Sequence, residues 1–270
     1  MMKRYIPVLT IAGSDCSGGA GIQADIKAMS ALGCYGMSVI TAMTAQNTTG
    51  VTAIEGVSPS MVAAQIDAVF DDIPPRAVKT GMLYSSDIVA TVADRMRRYE
   101  VSNLIIDPVM VSTSGSRLIS DDAIVALREQ LFPQALMITP NKAEARYLSG
   151  SDDVNRQIDL LASVGARYLL LKGGDDGRID VKTDYLVDYT SGAVVPITAP
   201  AIDTCNTHGT GCTLSSAIAS FIACGKDAPE AVAEAKQYIS GALAAGAGVT
   251  IGAGHGPVNH FFNPKSLITE

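Results

Sequence analysis

Short β-branched runs alternate with helix-period stretches along most of the chain. Apolar runs at 8–12, 38–44, 77–80, 104–107, 136–139 and 168–172 have the length and composition of buried strands. Between them, 60–70, 87–99, 121–131 and 155–164 carry apolar residues at helical spacing. Strands that are apolar throughout and alternate with helices predict an α/β fold, a mostly parallel central sheet with helices on both faces. Later the rhythm changes. Residues 184–190 and 193–198 flank Ser191-Gly192 and predict an antiparallel hairpin. Helices over 211–224 and 229–246 follow, then a glycine-rich tail, IGAGHGPVNHFF. No repeat, linker or low-complexity block interrupts the 270 residues, so one domain over 1–270 is expected.

Composition narrows the function classes. The net charge is −7 with no basic run, which argues against nucleic acid or an anionic membrane as partner. No apolar run approaches the ~20 residues of a membrane span, and MMKRYIPVLTIAGSD reads as a first core strand rather than a secretion signal. The cysteines (Cys16, Cys34, Cys205, Cys212 and Cys224) are odd in number and form no CxxC pair. That predicts reduced thiols in a cytoplasmic protein, not a disulfide frame or zinc site.

Two glycine loops carry the candidate chemistry. The first, GSDCSGGAGIQAD, holds Gly19-x-Gly21-x-x-Ala24, a dinucleotide-type spacing. The acidic residue expected about 20 positions later is missing, since the segment there reads ITAMTAQNT. No Gly-Lys-Ser/Thr of a Walker loop occurs either. Asp25 is unusual beside Ile22, Ile26 and Met29, and Gln46 is a polar group at a strand's carboxyl end. Both suit a small polar ligand in the crevice of an α/β sheet, and both equally suit solvated positions. The second loop, DTCNTHGTGC, opens a helix. Amides of Gly209, Thr210, Gly211 and Cys212 at that helix start predict an anion site, because unpaired N–H groups and the helix dipole favour negative charge there.

The ordered set AGSDCSGGAGIQAD, VITAMTAQNTTGV, KTGML, DPVM, ITPNKAEA, LLKGG, NTHGTGCTLSSAIA and GHGPVNHF closely resembles the hydroxymethylpyrimidine/phosphomethylpyrimidine kinases of thiamine biosynthesis. These belong to the ribokinase-like superfamily, and the resemblance covers nearly the whole chain. It implies a ribokinase-like three-layer fold and two ATP- and Mg²⁺-dependent phosphorylations of 4-amino-5-hydroxymethyl-2-methylpyrimidine, first to the monophosphate and then to the diphosphate. It also implies a homodimer. On this chain it places the pyrimidine near Gly13 and Ala20, with Asp25 and Gln46 bonding the ring nitrogen and amino group and Met82 packing nearby. Asp107 and Glu144, with Asn141 in the PNxxE motif, would organise Mg²⁺. Lys172 and Thr207 would contact ATP phosphates. Gly209, Thr210, Gly211 and Cys212 would hold the transferred phosphoryl group.

Most ribokinase relatives carry aspartate as catalytic base where this chain has Cys212. A thiol at a helix amino end, its pKa lowered toward neutrality, would serve the hydroxymethyl acceptor and tolerate the phosphate acceptor of the second step. The chain departs from the family after KGG: many members have a histidine and a longer segment there, whereas KGGDDGRIDVKTDYLVDY is short and acidic, so the resemblance does not carry over a lid or how ATP is covered. The apolar segment 51–57 would pair across subunits or flap over substrate. His208 and His255 receive no firm role; phosphate contact and structural capping are equal readings for His208. The nearest alternative is a pyridoxine/pyridoxal kinase of the same branch. A non-catalytic pyrimidine or ATP sensor and a dehydrogenase are more distant ones.

Overall fold

The computed structural model describes residues 3–111, 118–173 and 180–270. Its elements run β1 (Pro7–Asp15), α1 (Gly21–Ala31), β2 (Tyr35–Asn47), β3 (Gly50–Gly56), α2 (Pro59–Asp72), β4 (Ala77–Thr80), α3 (Ser86–Arg98), β5 (Leu104–Ile106) and α4 (Asp121–Ala126). They continue through β6 (Met137–Ile138), α5 (Lys142–Ser149), α6 (Val154–Leu161), β7 (Tyr168–Leu171), β8 (Val181–Asp188), β9 (Ala193–Pro200), α7 (Thr210–Ala223) and α8 (Ala228–Gly246). The strands lie in one sheet in the order β3-β2-β1-β4-β5-β6-β7-β8-β9. The six from β2 to β7 are mutually parallel, while β3 at one edge and the β8–β9 hairpin at the other run antiparallel.

Side-chain alternation divides the interior into two layers. Leu9, Ile11, Val78, Ile106 and Leu171 join the core beneath α2 to α6. Val8, Ala77, Ile105 and Leu170 join the core beneath α1, α7 and α8. Residues one apart thus feed opposite cores, as the period-2 geometry of a strand requires. The segment expected as a helix over 121–131 is shorter: α4 gives way to a π turn at Leu127–Leu131 and a 3-10 turn at Phe132–Gln134. Pro133 lies in that last turn and has no amide with which to continue a helix. The expected 51–57 segment is β3, paired with β2 of its own chain.

The strand order turns at β1, which has β2 on one side and β4 on the other. The connection from β1 runs to β2 on one side and that from β4 to β5 on the other, so a crevice opens at the carboxyl ends of these strands. Both β1 and β2 run further than their apolar runs suggest. Register shifts fall between Ala12 and Ser14 and between Ala45 and Gln46. The extra residues fall on β2 and β3, and Gly13 and Gln46 beside these irregularities line the crevice.

One polar cluster interrupts the core beneath α1 and α7. Lys79, on β4, is fully buried and donates to both Asp25 oxygens at 2.9 and 2.8 Å. Thr10, beside it in the β1–β4 register, donates to Asp25 at 2.6 Å, and Ser216 of α7 donates at 2.7 Å. Asp25 is therefore not the substrate-reading group the sequence suggests. Its oxygens are engaged between helix and sheet, and it does not line the crevice. A buried ion pair is costly to break because the surviving partner is left as an uncompensated charge. Asp25→Ala is expected to cost about 3–5 kcal/mol in urea unfolding. Adding Lys79→Met should recover much of that loss, and equal loss in both variants would refute the account.

Candidate active site

One cavity opens at the carboxyl ends of β1, β2, β4 and β5, walled by the start of α7. Gly13, Ala20, Gln46, Met82, Asp107, Asn141, Glu144, Lys172, Thr207, Gly209, Thr210, Gly211 and Cys212 all line it. Of the residues expected from sequence, Asp25 alone does not. Val109, Val111 and Leu118 extend the apolar wall that Met82 begins. The expectation concerning the segment after Lys172 falls on 174–179, outside the described residues.

The two glycine loops meet backbone to backbone. Gly209 caps α7 with φ +78°, and a Cβ there would sit 1.9 Å from the Gly19 carbonyl oxygen. A Cβ on Gly19 would lie 2.3 Å from the His208 ring. These glycines admit one loop against the other, which explains the nucleotide-like spacing without any nucleotide. The joint is held by Asp15. Its Oδ1 accepts from the Ser17 amide at 2.9 Å and hydroxyl at 2.7 Å, an Asx turn. Its Oδ2 accepts from Gly19 and Ala20 amides at 3.2 and 2.8 Å, and lies 2.8 Å from His208 Nε2. Burial opposes the charge on Asp15, but bonds from His208, Ser17 and Ala20 outweigh it and hold the carboxyl well below the usual range. Gln46, its amide nitrogen 3.4 Å from the same His208 nitrogen, borders this joint. Neither Asp15 nor His208 received a firm role from sequence, although Asp before Ser-Gly-Gly is a recognisable turn signal.

At the start of α7 the amides divide. Thr210 spends its amide on Thr207, and Thr213 is the first to donate to Gly209. Gly211 and Cys212, between them, keep the orphan amides that every helix start carries. The expected four-amide cradle is thus narrower, because Thr210 is committed within the loop. A Cβ on Gly211 would lie 3.4 Å from Lys172 Nζ and 3.6 Å from Asp107 Oδ2, so this open helix end faces a lysine–carboxylate pair.

That pair comes from neighbouring strand ends. Lys172 follows β7 and donates to Asp107, just past β5, at 2.8 Å. Thr139 and Ser215 also donate to Asp107, at 3.1 and 3.3 Å. Burial works against both charges. Lys172 and Lys79 nevertheless keep Asp107 below its ordinary range, while Asp107 and Glu144 keep Lys172 above its own. Glu144 forms a capping box at the start of α5: its amide donates to Asn141, and its carboxylate accepts from the Asn141 amide at 2.8 Å. Burial, assisted by the Asp107 charge, pushes Glu144 up to about 7. Cys212 is half-buried, and burial, with Asp25 and Asp107, pushes its thiol up to about 11 against the pull of Lys79. The expected lowering of this thiol toward neutrality is corrected: burial outweighs the pull of Lys79 and of the hydrogen bond from the Gly21 amide.

The donor set fits a magnesium ion that arrives with phosphates. No group of three or more His, Cys, Asp or Glu capable of holding a metal occurs among the described residues. Magnesium characteristically takes one or two carboxylates plus substrate phosphate oxygens, and Asp107 and Glu144 are the oxygen donors present. A carboxyl half-protonated near neutrality, as Glu144 is, ionises when a dication approaches.

A helix start open to an anion, facing a lysine at the carboxyl end of a strand of an α/β sheet, marks a ribokinase-like kinase of small molecules. Residues 15–259 match the family model for phosphomethylpyrimidine kinase, and the chain belongs to that family. It is 49% identical over 259 residues to the hydroxymethylpyrimidine/phosphomethylpyrimidine kinase of Rhizobium meliloti strain 1021, covering 94% of this chain and 96% of that one. It is 47% identical over 265 residues to the thiamine biosynthesis bifunctional protein ThiED of Geobacter sulfurreducens, covering 96% of this chain and 53% of the relative. Among solved structures, pyridoxal kinase from Staphylococcus aureus in complex with AMP-PCP and pyridoxal superposes with a TM-score of 0.85 at 30% identity, covering 96% of this chain and 94% of that one.

The Asp15 joint predicts a pH dependence. A carboxyl depressed in the folded state contributes stability that is complete above its unfolded pKa of about 3.9 and is lost as pH falls toward the folded value. Asp15→Asn should therefore lower the melting temperature at pH 7. Its difference from wild type should shrink as pH drops below about 4. A pH-independent difference would show that the carboxylate charge is not what holds the loops.

Proposed function

We propose that this protein is an ATP-dependent kinase of thiamine biosynthesis that phosphorylates 4-amino-5-hydroxymethyl-2-methylpyrimidine and then its monophosphate. The observation that carries the reading is the approach of the open α7 start to the Lys172–Asp107 pair. It concentrates a helix dipole, two free amides and an ammonium where a transferred phosphoryl group would carry its charge. The family and the named relatives support the same activity.

In this reading the pyrimidine lies between the Gly13–Ala20 loop and the apolar wall of Met82, Val109 and Leu118. Gln46 offers an amide donor and acceptor to the aminopyrimidine edge. Lys172 engages the ATP phosphates, and Gly211 and Cys212 hold the transferred group through their amides. The hydroxymethyl oxygen bonds the γ-phosphorus as the bond to the β,γ-bridging oxygen breaks, ADP leaves, and the hydroxyl proton passes to a phosphate oxygen or to water. Magnesium, when bound through Asp107 and Glu144, neutralises phosphate charge. Phosphoryl transfer asks the protein mainly for position and charge stabilisation, so a protonated Cys212 thiol is no obstacle. The neutral thiol leaves room for the phosphorylated acceptor of the second step. A single catalytic domain working as a cytoplasmic homodimer completes the proposal, and no described helix is long and apolar enough to cross a membrane.

The direct test is incubation with ATP, Mg²⁺ and the pyrimidine alcohol, resolving products by mass. Sequential mono- and diphosphate are expected, and faster transfer to pyridoxal than to the pyrimidine would overturn the substrate. Cys212→Asp should slow the diphosphate-forming step at least about tenfold more than the first, because a fixed carboxylate repels the incoming phosphate. Cys212→Ser, which stays neutral, should preserve the ratio of the two rates. Equal loss of both steps in Cys212→Asp would sink the charge argument.

A further inference from the structure

Far from the cavity, two thiols face each other across the core beneath α1 and α7. Cys34 stands in the turn between α1 and β2, and Cys224 caps the C-terminal end of α7. Their sulfurs are 3.8 Å apart although 190 positions separate them in sequence. The pair is asymmetric: Cys34 is 1% exposed, while Cys224 is half-buried and reachable from solvent.

We propose that Cys34 and Cys224 are a modification site, a dithiol that hydroperoxides convert into a reversible disulfide tying α7 to the α1–β2 turn. Cys224 is the attacking sulfur. The contact with the Cys34 thiol, with Lys265 and Arg76 nearby, holds it below its ordinary range against burial and the Glu270 carboxylate. Attack of the Cys224 thiolate on the peroxide breaks the O–O bond, gives a sulfenic acid at Cys224 and, after protonation, releases water or an alcohol. The Cys34 sulfur then displaces the sulfenic oxygen, which leaves as a second water with the Cys34 proton. Two thiols have then lost two electrons and the peroxide has gained them. Cys34 is enclosed 3.8 Å from Cys224, and its proton passes to the departing sulfenic oxygen as the sulfur–sulfur bond forms.

The site is independent of the kinase reading, and its test does not use activity. The full-length protein is treated with equimolar hydrogen peroxide at neutral pH, alkylated, digested without reductant and mapped by mass. The expected result is a Cys34–Cys224 peptide pair, lost on dithiothreitol treatment and formed about tenfold faster than oxidation of the exposed Cys16 and Cys205. In Cys34→Ser the reaction should stop at a Cys224 sulfenic acid that dimedone captures. Full alkylation of Cys34 and Cys224 after Cys16 and Cys205 have been oxidised would overturn the proposal. So would a cross-link joining either residue to a different cysteine.

Discussion

The site depends first on one carboxylate. Asp15 gathers donors from the turn that follows β1 and from His208 in the loop before α7, about 190 positions on. Buried polar groups that satisfy one another in this way rigidify what they join. Here they join the turn after β1 to the loop that opens α7. Glycines at 19 and 209 let the two backbones touch, and Asp15 supplies the force that keeps them touching. Removing either element leaves the other without purpose: close-packed loops need a fastener, and the fastener needs loops that fit.

Beneath that joint, Lys79 and Asp25 set the electrostatic background. Lys79 is one of the largest fully buried side chains, on a four-residue strand buried along its whole length. A buried ion pair of this kind contributes little net stability compared with an apolar substitute. Its placement under the cavity floor, where its field reaches both Asp107 and Cys212, gives it an effect on the site that a leucine could not have.

Much of this arrangement was legible in the chain. The alternation of apolar runs with helix-period segments gave the parallel sheet, and Ser191-Gly192 marked the late hairpin. Most residues assigned from the family resemblance do converge on one cavity. What the sequence could not show is direction. Asp25 was conspicuous as a carboxylate on an apolar helix, but nothing local says whether it faces ligand or lysine. Lys79, within KTGML, was equally visible and was passed over as part of a motif. A lysine in a short, otherwise apolar strand needs a buried partner, so pairing these two anomalies would have corrected both. The bulges beside Gly13 and Gln46 arise from strand pairing, a long-range property that no local window contains.

The presence of a thiol at 212 follows from the charges around it. The ammonium groups of Lys79 and Lys172 face the carboxylates of Asp25 and Asp107, while Glu144, near 7, is poised between forms. Asp15, held ionised by its hydrogen bonds, adds a negative charge on the cavity wall. The two ammonium groups are thus already matched, and a further permanently ionised carboxylate at the helix start would add repulsion where an incoming phosphate approaches. For an acceptor that carries only a hydroxyl that burden is tolerable, and a base there has some use. For one that already carries phosphate it is not. A polarisable side chain that is small and uncharged, yet still able to lose a proton as charge develops, meets both demands. Its high resting pKa is then a consequence of its surroundings, and it costs the reaction little if the transition state asks for position more than for deprotonation.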